Sequence, residues 1–138
     1  MLPCIVALGF GLALGQAADP TQDRVAKGVA AELPSLVSLY KHFHANPELS
    51  FMEVETAKRL AAELRDAGLT VSTGIGGHGL VGVLKNGDGP TLLIRADMDG
   101  LPVREETGLP HASTKQMADD LGNTVYTMHA CGHDVNMT

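Results

Sequence analysis

Tryptophan is absent from the 138-residue chain, and three phenylalanines and two tyrosines are its only large aromatics. A core must therefore be assembled from Leu, Val, Ala and Met, which is feasible at this length for one domain of ordinary size. Basic residues are also scarce. Ten Lys and Arg stand against sixteen Asp and Glu, giving a formal charge of -6, and no basic cluster occurs anywhere. That excludes the basic stripe or patch expected of a nucleic-acid binder. Cysteine is rarest, with only Cys4 and Cys131. No internal repeat, low-complexity tract or second domain is visible.

Residues 1–18 are apolar and uncharged, ending in Leu14-Gly15-Gln16-Ala17-Ala18. Small residues at that end suit cleavage after Ala17 or Ala18, so an export signal is expected, placing the mature protein in the periplasm or outside the cell. The segment is too short for a comfortable membrane span. It has no basic residue ahead of the apolar run, so a misassigned start or an uncleaved anchor is the alternative. Once the signal is removed, Cys131 has no intramolecular disulfide partner, and metal ligation is one explanation for a lone thiol in an oxidising compartment.

Along the chain, Asp23 to His44 reads as helix interrupted at Pro34, with a restart near Leu33, and Asn46-Pro47 ends it. Ser50-Phe51-Met52-Glu53 has the form of a capping box, which predicts that a second helix begins there. Val54, Ala57, Leu60, Ala61 and Leu64 make its apolar stripe, and Gly68 is its stop. Leu69 to Thr73 is a short strand, and Gly74 to Gly79 a glycine loop without the following helix or lysine of a phosphate-binding fingerprint. Leu80 to Leu84 and Thr91 to Ala96 are expected to pair as a hairpin across Asn86-Gly87-Asp88-Gly89-Pro90. His111 to Gly122 is a surface excursion, and Val125 to Met128 a short extended entry into the last ten residues.

That last stretch, His129-Ala130-Cys131-Gly132-His133-Asp134, carries the chemistry. Imidazole and thiolate are the ligands zinc prefers. In an extended segment, alternation would put His129, Cys131 and His133 on one face, leaving Asp134 to orient a neighbour. The plain alternative is a buried apolar cysteine beside histidines that serve as ordinary polar groups. Asp97 and Asp99 follow a continuously apolar run, where open sheets place ligand sites, although Asp, Gly and Pro also cluster in ordinary turns.

Four ordered motifs together resemble one family. They are Asn46-Pro47-Glu48-Leu49-Ser50, Ile94-Arg95-Ala96-Asp97-Met98-Asp99-Gly100-Leu101-Pro102-Val103, Glu105-Glu106-Thr107-Gly108-Leu109-Pro110, and Met128-His129-Ala130-Cys131-Gly132-His133-Asp134. The resemblance is to the amidohydrolase branch of the zinc-peptidase family, which contains hippurate hydrolases, N-acyl-amino-acid hydrolases and plant auxin-conjugate hydrolases. It covers roughly Leu33 to Thr138.

The resemblance implies an α/β fold: residues 19–138 as the amino-terminal part of a metal-binding catalytic domain, a mixed sheet flanked by helices, cut before an inserted domain that mediates homodimers. It implies that Cys131 and His133 are metal ligands and that His129 is a neighbour, not a ligand. Asp99, and less strongly Asp134, would orient the site from behind the ligands. The implied cofactor is a pair of divalent ions, zinc first, with manganese, cobalt or nickel as alternatives. The implied reaction is hydrolysis of the amide bond of N-acyl amino acids or small peptides by a metal-activated water. In the family the general base and the remaining ligands follow the Cys-Gly-His-Asp motif, and this chain has no counterpart of them. Glu105 and Glu106 belong to a different motif and are not recruited as a base. The 138 residues alone are therefore expected to be inactive. The competing reading is a non-catalytic remnant with at most weak metal binding. Asn46 and Asn136 both stand where the family usually has histidine.

Overall fold

The computed structural model describes residues 19–138, so the export-signal reading of residues 1–18, and Cys4 with it, lies outside the described residues. These residues form two units, 19–32 and Leu33–Thr138. Helix α1 spans Pro20–Ala45. It starts where the Asp19 carboxylate accepts the Thr21 N–H at 2.8 Å, with Pro20 in the first turn, where a missing N–H costs nothing. The expected break at Pro34 is absent: α1 runs through it. Proline there forfeits one backbone hydrogen bond, and that single loss does not stop a helix whose last turn buries Phe43 and His44. Asn46 ends α1, its side-chain amide donating to the His42 carbonyl at 2.8 Å.

The capping box does not form. Helix α2 spans Val54–Asp66, and Glu53 ahead of it makes no side-chain cap. Ser50 is engaged elsewhere, and Glu48 instead accepts the Thr56 N–H at 2.8 Å, covering one of the first-turn donors a helix leaves unsatisfied. The stripe holds in its centre, with Ala57 and Ala61 buried, whereas Val54 is half exposed. At the other end Gly68 takes a left-handed φ of 86°. Its N–H reaches the Arg65 carbonyl and that of Leu69 the Leu64 carbonyl, both at 2.9 Å, which is the paired arrangement that closes a helix on glycine.

Strands β1 (Thr70–Ile75) and β2 (Gly79–Val83) form an antiparallel ladder that packs on α2. This corrects the expected pairing: Leu80 to Leu84 does not pair with Thr91 to Ala96. The glycine loop is the turn of a hairpin, because left-handed Gly74, Gly76 and Gly77 reverse the chain directly onto β1. Residues 91–96 have no ladder partner among the described residues, and Leu92, Leu93 and Ile94 are 82%, 85% and 84% exposed. A second antiparallel pair, β3 (Gln116–Ala118) and β4 (Thr124–Tyr126), lies partly inside the expected surface excursion. The short helix α3, His133–Met137, follows. No helix among the described residues is long and apolar enough to cross a membrane.

Two isolated bridges join the motif segments. Leu49 pairs parallel with Gly100, and Leu101 antiparallel with Met128. Gly100 N–H donates to the Glu48 carbonyl at 2.6 Å, and Leu101 and Met128 exchange bonds of 2.8 and 3.0 Å. Around this seam lie the buried Pro47, Leu49 and Thr127. The described residues thus combine antiparallel ladders with one parallel contact.

Candidate metal centre

The seam delivers the last motif to a fixed place. Thr127, 1% exposed, is held by its N–H on the Lys115 carbonyl at 3.0 Å and by its hydroxyl, which lies 3.3 Å from the Pro47 carbonyl. Beyond Met128 the chain turns, Gly132 adopts φ 74°, and α3 begins at His133. A left-handed residue is needed at that point, and glycine takes it without a Cβ penalty. Alternation along an extended strand therefore does not describe this stretch: Cys131 and His133 are separated by a left-handed turn, not presented by a flat strand.

His133 is oriented by Asp99. Its Nδ1 sits 2.9 Å from the Asp99 carbonyl oxygen and 2.9 Å from carboxylate oxygen Oδ1. An Nδ1–H donating there fixes the tautomer that leaves Nε2 with its lone pair, as in metal-ligating histidines. Asp99 is itself gripped by Ser50, whose hydroxyl donates to Oδ2 at 2.5 Å. Burial opposes the charge on Asp99, but the Ser50 bond, its own backbone N–H and the His133 ring outweigh it and hold the carboxyl below its ordinary range. Asp97 does not share this role, since it pairs with Arg95.

Cys131 is exposed with a free thiol, so both donors named from the sequence stand where an ion can reach them. Together they supply a soft sulfur and an imidazole nitrogen, a donor set suited to zinc or a similar ion. They do not make a closed site. Among the described residues no group of three or more His, Cys, Asp or Glu side chains is placed to hold a metal ion.

His129 is a buried member of the same motif. It is 4% exposed and neither ring nitrogen has a hydrogen-bond partner. Burial lowers its pKa, against the pull of Asp134, so the ring is neutral at pH 7.

Asp134, next to His133 in sequence, is 2% exposed. One carboxylate oxygen accepts the Val135 N–H at 3.0 Å, and the other faces His44 Nδ1 at 2.7 Å. The opposite nitrogen of His44 faces Glu105 at 3.0 Å. Glu105 also receives the Thr107 hydroxyl and the Ser113 N–H, and its side chain is 0% exposed, so it is fully engaged and not placed as a base. Sequence reasoning assigned neither His44 nor Glu105 to the site. The position of Glu105 at the head of the third motif, and of His44 two residues ahead of the first, was the available signal. Asn136 is exposed. A cavity of about 300 Å³ adjoins Asp99, lined in part by Phe51, Ile75, His78 and Arg95.

No family model matches the chain. Individual relatives do. The chain is 41% identical over 114 residues to a hippurate hydrolase of Campylobacter jejuni, covering 77% of this chain and 27% of that protein. It is 37% identical over 105 residues to an N-acetylcysteine deacetylase of Bacillus subtilis, covering 72% and 24%. Among solved structures, it matches a Bacillus subtilis protein described as a dinuclear metal-binding peptidase of the M20 family with a TM-score of 0.66 and 35% identity, covering 78% of this chain and 28% of that one. The chain spans about a quarter of the length of these relatives. The four motifs, the α/β fold and the relatives in both sequence and structure agree: over most of its length the chain is similar to the amidohydrolase branch of the M20 metallopeptidase family.

Proposed function

We propose that residues 19–138 form part of the metal-binding domain of a dinuclear amidohydrolase, with Cys131 and His133 as ligands and Asp99 orienting His133. The observation that supports this reading is the Asp99–His133 contact, which commits Nδ1 to hydrogen bonding and leaves Nε2 for an ion. Divalent ions, when bound, would supply a water of lowered pKa and polarise the scissile carbonyl. The chain's own residues would hold the ions and keep His133 in one tautomer. Asp134 would lock the turn between the ligands to the interior. Substrate would lie along the cavity beside Asp99, and its class would be an N-acyl amino acid or small peptide, in keeping with the names of the relatives. Zinc is the first choice of metal, and export is the proposed location.

With two donors in place, the chain by itself is proposed to bind an ion without turning over substrate, because the acid–base and remaining ligand groups act as a unit. Cobalt titration tests the ligand assignment. A thiolate-to-cobalt charge-transfer absorption that disappears in Cys131→Ser and in His133→Ala supports it, and an absorption unaffected by either variant sinks it. Hydrolysis of N-acyl amino acids by the 138-residue chain at a metal-dependent rate would overturn the proposed inactivity.

A further inference from the structure

We propose that His44 is a positioning residue for the metal motif, tethering the turn that carries Cys131 and His133 to the end of α1 through Asp134. This rests on the reading of Cys131 and His133 as ligands. Asp134 directly follows His133 in a helix of one turn, and its atoms are tied within that turn: one carboxylate oxygen accepts the Val135 N–H and its carbonyl accepts the Thr138 hydroxyl at 2.7 Å. It cannot move without α3, whose first residue is His133. Its remaining oxygen is bound to His44 Nδ1 at 2.7 Å, across 90 residues of sequence.

The tether is built to be rigid. His44 is 6% exposed, and its other nitrogen is held by Glu105 at 3.0 Å. Tyr40 and His111 stand against the imidazole with ring centroids 5.5 and 5.1 Å away. Both ring nitrogens face carboxylate oxygens, which accept and cannot donate when ionised, so the imidazole carries two N–H groups. The result is two buried carboxylates around one cation, an arrangement that is a poor source of stability but fixes geometry from both sides. Asp99 holds His133 by its ring, and His44 holds the backbone that carries it.

Two near-isosteric substitutions in the full chain separate positioning from packing. His44→Asn sets an amide nitrogen near the place of Nδ1 and keeps a donor to Asp134. His44→Gln sets one near the place of Nε2, keeping Glu105 and losing Asp134. Cobalt affinity, read from the Cys131-dependent charge-transfer absorption, is expected to stay within about 3-fold of wild type in His44→Asn. It is expected to fall about 10- to 100-fold in His44→Gln, the range for groups that orient ligands. Equal affinities in the two variants, or equal losses, would overturn the tether. Should His44→Gln not fold by circular dichroism, Glu105→Gln takes its place: it leaves the Asp134 bond intact and must retain affinity within about 3-fold, and a 10-fold loss counts against the proposal. A wild-type chain without the absorption overturns the ligand reading and the tether with it. A wild-type chain that binds, beside a folded His44→Gln that binds as well, overturns the tether alone.

Discussion

Ser50 donates its hydroxyl proton to Asp99 at 2.5 Å across 49 residues of sequence, so a serine that looks like a helix cap instead fixes the carboxylate behind His133. Ser50→Ala leaves that carboxylate with one partner fewer. The expected loss of stability is about 1 kcal/mol, and metal affinity should drop several-fold. Asp99→Asn should lose about 10- to 100-fold. Denaturant unfolding with parallel cobalt titration reads both, and a Ser50→Ala variant with unchanged affinity would detach Ser50 from the site.

The pH dependence of stability should have an acid and an alkaline limb. Burial works against a charge on His44, but its hydrogen bonds to Glu105 and Asp134 and their negative charges prevail, raising its pKa above the ordinary 6.5. Its contribution is complete below about 6.5 and is lost as pH rises through the raised value. Glu105 and Glu48 are shifted the other way. Burial opposes their ionisation, while Thr107, His44 and Ser113 for the first and Thr56 and Lys115 for the second lower their pKa below 4.5. Their contributions are complete above about 4.5 and are lost as pH falls through the lowered values. Buried His129, its pKa lowered by desolvation, works the other way from His44: its contribution is complete above about 6.5 and is lost as pH falls through the lowered value. Urea midpoints of the metal-free chain should therefore fall at both the acid and the alkaline end, with the maximum at about 6.5. His44→Asn should flatten the alkaline limb and shrink the Glu105 part of the acid limb, leaving the part that belongs to Glu48.

Gly132 lies between the two proposed ligands at φ 74°. Gly132→Ala should cost about 1–2 kcal/mol, the penalty of a left-handed Cβ, and should weaken cobalt binding. Gly132→Asn should be milder, since asparagine tolerates that region. Equal effects of Ala and Asn would point to lost space and not to backbone conformation.

Leu92, Leu93 and Ile94 present adjacent apolar side chains to solvent on a segment without a ladder, a recognised aggregation hazard. Residues 19–138 should self-associate at micromolar concentration, and Leu93→Lys should reduce it. Light scattering across a dilution series is the check. A wild-type chain that stays monomeric would show that this run is covered in solution.

Local signals were legible and distant ones were not. The stripe of Ala57 and Ala61 and the stop at Gly68 lie within one helix, so periodicity and a glycine sufficed. Proline 34 misled because a helix with buried contacts beyond it outweighs one lost hydrogen bond. The partner of β2 was misassigned because turn chemistry occurs on both sides of it, at Gly76-Gly77 and at Asn86 to Pro90, and strand choice depends on contacts that no local pattern encodes. At the site, residue types left His129, Cys131 and His133, and Asp97 beside Asp99, all open, and the family resemblance narrowed them to Cys131, His133 and Asp99. The tie from His44 to Asp134 spans 90 residues, beyond the reach of any local pattern.

The seam of Leu49 with Gly100 and Leu101 with Met128 also sets an order of assembly. The α2–β1–β2 hairpin unit is complete within residues 54–83 and can form while the rest of the chain is still being synthesised. Before Gly100 and Met128 arrive, Leu49 and Leu101 have only local backbone bonds, from the Met52 and Val103 N–H groups, and the bridges that join the motif segments cannot close. Contacts of such separation close late, because the loop entropy must be met before any of them forms. The metal motif is therefore the last part to take shape. Slow, metal-accelerated recovery of His133 protection, against fast recovery of α2, is the kinetic signature that this wiring implies.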